Sequence, residues 1–309
     1  MARTWIIAAG AGVLSALLFL TVAVGSLGAM IFCYLAPLPL FAMGLGAGLV
    51  SAATAGATAT ALIGLIAGVI PAASFVVLFV SPVVVLVRYA LLSRIAANGQ
   101  LEWYPPGRLV MWLVTIGAVT FFAGVLLISG GRTVEERLKS VLGPALSQYA
   151  QGTAQDQLQA VIDFFARLPS IMVLVWLLVI AATGILAQGL LAGFGRSLRP
   201  TPPIAAIELP RPAGIVTALA LTANVLATGW LEFAGRNLLL LMAVAFFFAG
   251  LGVVHGLVRG TYRLVVLIAF YFSMIPFLMV IPPVVAAVGF VDHWVHFRRR
   301  FRGSASGGI

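Results

Sequence analysis

Charged side chains make up only 8% of this 309-residue chain, which holds 8 acidic residues, 3 histidines and 1 cysteine in all. Each scarcity excludes something. The carboxylates are scattered, so there is no cluster for two-metal chemistry. Cys33 is alone and cannot close an internal disulfide; without partners it reads as a small buried hydrophobe rather than a metal or redox site. A Gly-rich phosphate loop of the Walker type is missing, which argues against ATP hydrolysis by this chain alone. No Ser-His-Asp or His-Glu-x-x-His pattern is present. A charged relay is missing too, which speaks against a pump or antiporter. These absences lead us to expect a protein that is not an enzyme and uses no cofactor.

The longest absence decides the class. From Thr4 to Val87, a run of 84 residues, there is no Asp, Glu, Lys, Arg or His. Soluble domains carry roughly a quarter charged residues, whereas a helix needs about 20 apolar residues to cross a bilayer. What the chain does have is apolar: 62% hydrophobic residues and a mean hydropathy of +1.14. Backbone groups in lipid must pair internally, which selects helices. The runs do not alternate as barrel strands would. The expected fold is all-α, a polytopic transmembrane bundle of 8–10 spans, read as one membrane domain over 1–309. Spans are expected near 5–25, 29–49, 51–70, 72–93, 108–129, 169–193, 212–231, 238–257, 261–280 and 281–297. Pro37 and Pro39 predict that the second starts late or breaks, and Pro276, Pro282 and Pro283 split the last stretch into one tilted helix or two short ones.

Charge then orients the bundle, because cytoplasmic loops carry excess Lys and Arg. With an inside N-terminus and an even number of crossings, one side receives Arg3, then Arg88, Arg94 and Arg108, then Arg196, Arg199 and Arg211, then Arg259 and Arg263. The tail at 298–309 adds Arg298, Arg299, Arg300 and Arg302, so 13 of the 18 basic residues share that side. On the other, Arg132, Arg137, Lys139, Arg167 and Arg236 balance Glu135, Glu136, Asp156, Asp163 and Glu232. The net charge of +10 therefore reflects span ends and not a nucleic-acid partner. The partner that composition demands is the lipid bilayer. Both termini are expected to be cytoplasmic.

The segment 130–168 is the one sizeable polar stretch, expected as an extracytoplasmic amphipathic helical insertion. Thr133 and Glu136 have capping-box spacing. Leu138, Val141, Leu142, Ala145, Leu146 and Tyr149 recur at helical spacing, and Leu158, Val161, Ile162 and Phe165 make a second stripe. Such helices lie on the bilayer surface, cover the bundle as a lid, or dock a partner.

Several residues are candidates for function. Ala8, Gly12 and Ala16 place small side chains four apart on the first span, which suits close helix packing within the bundle or docking onto another membrane subunit. Polar groups at membrane depth are costly, which marks Gln188, Asn224 and His255. Glu232 and Arg236 sit at ion-pair spacing with Asn237 beside them, either a structural cap or the rim of an outward-facing ligand site. Asp292 and His296 share a helical face, with His293 between them, but the soft donors left for a zinc site are only His255 and Cys33, so no metal is expected. Trp294 and Phe297 with the arginines after them read as an interfacial anchor.

The last 75 residues carry a resemblance. Gly235-Arg236-Asn237-Leu238-Leu239, the run Phe247 to His255, and the tail Gly289 to Arg298 with Asp292, Trp294, Phe297 and Arg298 resemble the bacterial YybS-like predicted membrane proteins. That family is distantly similar to the substrate-binding S components of energy-coupling-factor transporters and to the cell-shape protein MreD. The resemblance implies a bacterial inner-membrane protein. By likeness to S components it implies binding of a small solute, with Ala8, Gly12 and Ala16 meeting a transporter subunit that supplies energy. By likeness to MreD it implies a scaffold recruiting cell-envelope partners through its basic loops and tail.

Overall fold

The computed structural model describes residues 2–129, 140, 155–258 and 260–295. Residues 130–154 of the expected insertion and the tail from 296, with Phe297 and Arg298, lie outside the described residues apart from Ser140. The fold is helical: α1 (Ala2–Leu20), α2 (Leu27–Tyr34), α3 (Pro37–Ala47), α4 (Leu49–Ala67), α5 (Val69–Phe75), α6 (Ser81–Ala90), α7 (Pro106–Ser129), α8 (Gln155–Gly193), α9 (Pro212–Leu226), α10 (Trp230–Leu257), α11 (Arg263–Met274) and α12 (Ile281–Val295). Seven stretches among the described residues are long and apolar enough to cross a membrane, each close to an expected span. The expected spans 212–231, 261–280 and 281–297 are instead the shorter helices α9, α11 and α12. Length explains this: at 1.5 Å per residue, α9 and α12 are each roughly 22 Å long, short of the ~30 Å hydrocarbon layer.

Proline acts where expected. The second span is broken at Leu35–Ala36, and α3 restarts on Pro37, whose missing N–H costs nothing in a first turn. Pro82 sits at the start of α6, and the turns before it relax into a π-helix over Val76–Val80.

The contacts gather into two compact units, residues 1–113 with 178–207, and residues 114–177 with 208–309. In the first, α1 lies along α4. A Cβ on Gly12 would meet the Ala55 carbonyl and the Thr58 side chain, and Ala8 and Ala16 are buried. Ser15 Oγ donates to the Ala36 carbonyl at 2.6 Å, and Phe19 packs edge-on to Phe75 and Phe79, whose rings are tilted against each other. Between α6 and α7 the chain makes a hairpin, β1 (Ser93–Ile95) with β2 (Leu101–Trp103). Its turn signal is Asn98-Gly99, with Gly99 at φ 77.

Arg199 organises this end of the unit. It is buried, and its guanidinium donates to the carbonyls of Ala90 at 3.0 Å and Tyr104 at 2.8 Å, tying α6 to the hairpin. Nε has no partner. Burial pulls the guanidinium below the usual arginine range. Gln188 of α8, a candidate at membrane depth, donates to the Arg199 carbonyl at 2.8 Å, so it is a helix-to-loop tie.

The helix α8 is 39 residues long and runs without interruption through the expected second amphipathic stripe into the span near 169–193. At roughly 58 Å it exceeds the hydrocarbon layer by about half its length.

Candidate functional site

The second unit builds its site from short helices arranged on a long one. Gly235 of α10 lies against α9, where a Cβ would sit 2.6 Å from the Ala220 carbonyl and from the Asn224 backbone N. Further along α10, Gly250 abuts the Val285 carbonyl of α12, and Gly289 of α12 abuts the Phe246 carbonyl. Small residues permit this close approach. The order of these contacts makes both neighbours antiparallel to α10. Thus α9 covers its first half and α12 its second. They meet near its middle, where Gly214 at the start of α9 lies against His293 and Trp294 near the end of α12. The Phe246 ring of α10 packs edge-on to Phe290 and His293 at the same level.

A cavity of about 510 Å³ opens at this junction. Glu208 and Arg211, from the segment leading into α9, stand at it and are exposed. Ala249 of α10 and Gly289 of α12 supply small apolar walls. Asp292 lines it and is only 4% exposed; His293 and Trp294 complete the α12 side. A carboxylate this buried is costly unless it is compensated. Asp292, His293 and Glu208 each hold a polar or ring contact within the protein. The volume falls in the range of roughly 300–1,000 Å³ that small-molecule sites occupy. The site holds both signs of charge: the Asp292 carboxyl is buried, and Glu208 and Arg211 are exposed.

The structure distributes the sequence candidates differently from the expected ligand rim. Asn237 is buried, donates to the Phe233 carbonyl at 2.7 Å and accepts from Ser170 Oγ of α8, so it ties two helices together. Glu232 and Arg236 do not form the ion pair their spacing suits: the Arg236 guanidinium lies 6.0 Å above the Phe233 ring. Asn224 is half-buried on α9, with its backbone against Gly235. His255 contacts the Leu251 carbonyl at 2.9 Å and the Tyr271 hydroxyl at 3.5 Å. None of these five lines the cavity. The docking stripe Ala8, Gly12 and Ala16 is likewise taken: it is covered by α4 of the same chain and presents no free face. Of the tail motif, Asp292 and Trp294 do reach the site. Arg211 enters the charge asymmetry of the sequence only as a loop cation, and no local pattern singles out Glu208. Arg211 lies 81 positions before Asp292 in the chain, and no local pattern joins them. No group of three or more potential metal ligands occurs among the described residues.

A family model described as a predicted membrane protein (DUF2232) matches residues 13–293, which include Asp292 and His293 but end one residue before Trp294. No curated protein matches the chain. No solved structure matches it either.

Proposed function

The chain belongs to this predicted membrane protein family, and on that premise we propose that it is a non-enzymatic, solute-binding component of a bacterial inner membrane. The observation that carries the reading is the cavity at the α9–α12 junction, where acidic, basic and aromatic side chains converge on one void. A bundle acting only as a scaffold needs no such void, because cores otherwise pack to near-crystalline density. The resemblance to S components points the same way in function. It does not extend to docking through α1, whose small-residue face is used internally. On the charge asymmetry of the sequence, the 194–211 segment that leads to the cavity belongs to the cytoplasmic side. A solute bound there is received from, or released to, the cytoplasm, with energy from a partner.

Native mass spectrometry of the protein gently extracted from its own membrane tests this. The expected result is a bound small molecule that is lost in Ile215→Trp, where the indole fills the cavity. A protein that carries only lipid, or only a cell-envelope partner, would favour the MreD-like scaffold.

A further inference from the structure

We infer that the β1–β2 hairpin of the first unit is a foot in the membrane interface that gathers anionic phospholipid, with its Ile95–Leu101 face in the lipid and Arg88, Arg108 and Arg196 at the phosphates. The observations lie apart from the cavity and do not rest on the solute-binding reading. The hairpin pairs Ser93 with Trp103, Arg94 with Glu102 and Ile95 with Leu101. Opposed residues share a face and successive pairs alternate. Ile95 and Leu101 therefore lie on the Trp103 face, and the Arg94–Glu102 ion pair lies on the other. Ile95 is 78% exposed and Leu101 is 55% exposed. A two-stranded hairpin has too little core to be stable alone in water, and an apolar pair left in water adds nothing to it.

Position selects the bilayer interface as the occupant of this face. β1 begins at Ser93, just after α6 ends at Ala90, and β2 ends at Trp103, just before α7 starts at Pro106. Both helices belong to stretches long enough to cross a membrane, Val69–Ala90 and Pro106–Leu127. Each three-residue strand is about 10 Å long, of the order of a headgroup layer's thickness. At the base of the hairpin Tyr89 stacks on Trp112 at 4.3 Å, and Trp112 Nε1 donates to the Tyr104 hydroxyl at 3.1 Å. Tyr and Trp favour this level of a membrane. The two guanidinium bonds of Arg199 fix the base in place.

Charge selects the lipid. Over residues 1–113 and 178–207, which make up the unit, the sequence has six arginines, no lysine and one carboxylate, Glu102. Glu102 is taken by Arg94 at 2.8 Å. Arg88, Arg108 and Arg196 are exposed, and no carboxylate of the unit is left to neutralise them. Phosphate is the anion their planar forks match. An anionic leaflet supplies the phosphate and the apolar medium together.

The test uses the full-length protein in nanodiscs of phosphatidylcholine, alone or mixed equally with phosphatidylglycerol. Spin labels are placed by Ile95→Cys, Leu101→Cys or Arg94→Cys, each with Cys33→Ala. The expected result is that labels at 95 and 101 meet dissolved oxygen and are shielded from a water-soluble nickel chelate, while the label at 94 meets the chelate. Spin-labelled phosphatidylglycerol should associate with the unlabelled protein about threefold or more above phosphatidylcholine, and salt should weaken the preference. Combining Arg88→Gln, Arg108→Gln and Arg196→Gln removes that preference, and Arg236→Gln leaves it unchanged. All four arginines are exposed, so folding is not at stake. Equal access of the chelate to 95, 101 and 94 overturns the proposal. Shielding of 95 and 101 from both oxygen and chelate also overturns it, because a second copy or another protein then covers the face. A lipid preference indifferent to the triple substitution does the same.

Discussion

Gly214 of α9 lies against His293 of α12: a Cβ there would sit 3.0 Å from the imidazole Nε2 and 2.9 Å from the Trp294 ring. Two short helices thus meet side by side against the middle of one long helix, and the absence of a side chain at Gly214 leaves their junction its shape. Gly214→Val forces the imidazole and indole aside. It is expected to cost about 1–3 kcal/mol, as overpacking does, and to reduce solute binding. Thermal unfolding in detergent together with dialysis separates the two effects.

The contacts of Gly250 with Val285, and of Gly289 with Phe246, are tighter still, because the neighbouring atoms are carbonyl oxygens that no rotamer change can move. Gly250→Ala and Gly289→Ala should each destabilise the protein by about 1–3 kcal/mol. Gly124→Ala, with nothing within 4 Å of the new methyl, should be neutral or slightly stabilising. Equal melting temperatures for all three variants would refute this packing.

Asn237 and Ser170 join α10 to α8 through a buried hydrogen bond. Interhelical bonds of this kind in membranes are worth about 0.6 kcal/mol on average and up to ~1.7. A double-mutant cycle with Asn237→Ala and Ser170→Ala should return a coupling in that range. Neither substitution should abolish ligand binding, since neither residue lines the cavity.

The small-residue face of α1 offers a direct comparison. Gly12→Leu collides with the Ala55 carbonyl and Thr58, while Gly10 has open space around it. In detergent, with no partner subunit present, Gly12→Leu should lower the unfolding temperature and Gly10→Leu should not. If Gly12→Leu altered only co-purification of a second protein, the face would be a docking surface after all.

At the other unit, Arg199→Leu removes both guanidinium hydrogen bonds, and roughly 3–6 kcal/mol of stability should go with them, since bonds to charged groups are worth about 1.5–3 kcal/mol each. Arg199→Lys should restore little of it, because an ammonium cannot reproduce the planar fork. By contrast the Arg94–Glu102 pair on the hairpin, at 2.8 Å but largely in solvent, should tolerate Glu102→Gln without a measurable change. Chemical unfolding of the three variants checks both statements.

What the sequence determined by itself was set by properties local to the chain. Hydropathy over about 20 residues and the need to pair backbone groups in lipid define a helix wherever it lies, so the seven long helices were legible, as were the proline break before α3 and the charge asymmetry between loops. Pairing was not legible. Nearly every helix is apolar all round, so no polar stripe reveals which face meets which neighbour. The same small-residue spacing at Ala8, Gly12 and Ala16 suits an internal contact and an external one equally, and only the packing of α4 chose between them. Asn237 looked like part of a rim because it follows Glu232 and Arg236; the tertiary structure turned it toward Ser170. The cavity depends on where α9 and α12 stop along α10, which joins Arg211 to Asp292 across 81 positions of chain. That is a property of helix ends meeting in space, and it becomes visible only once the helices are packed.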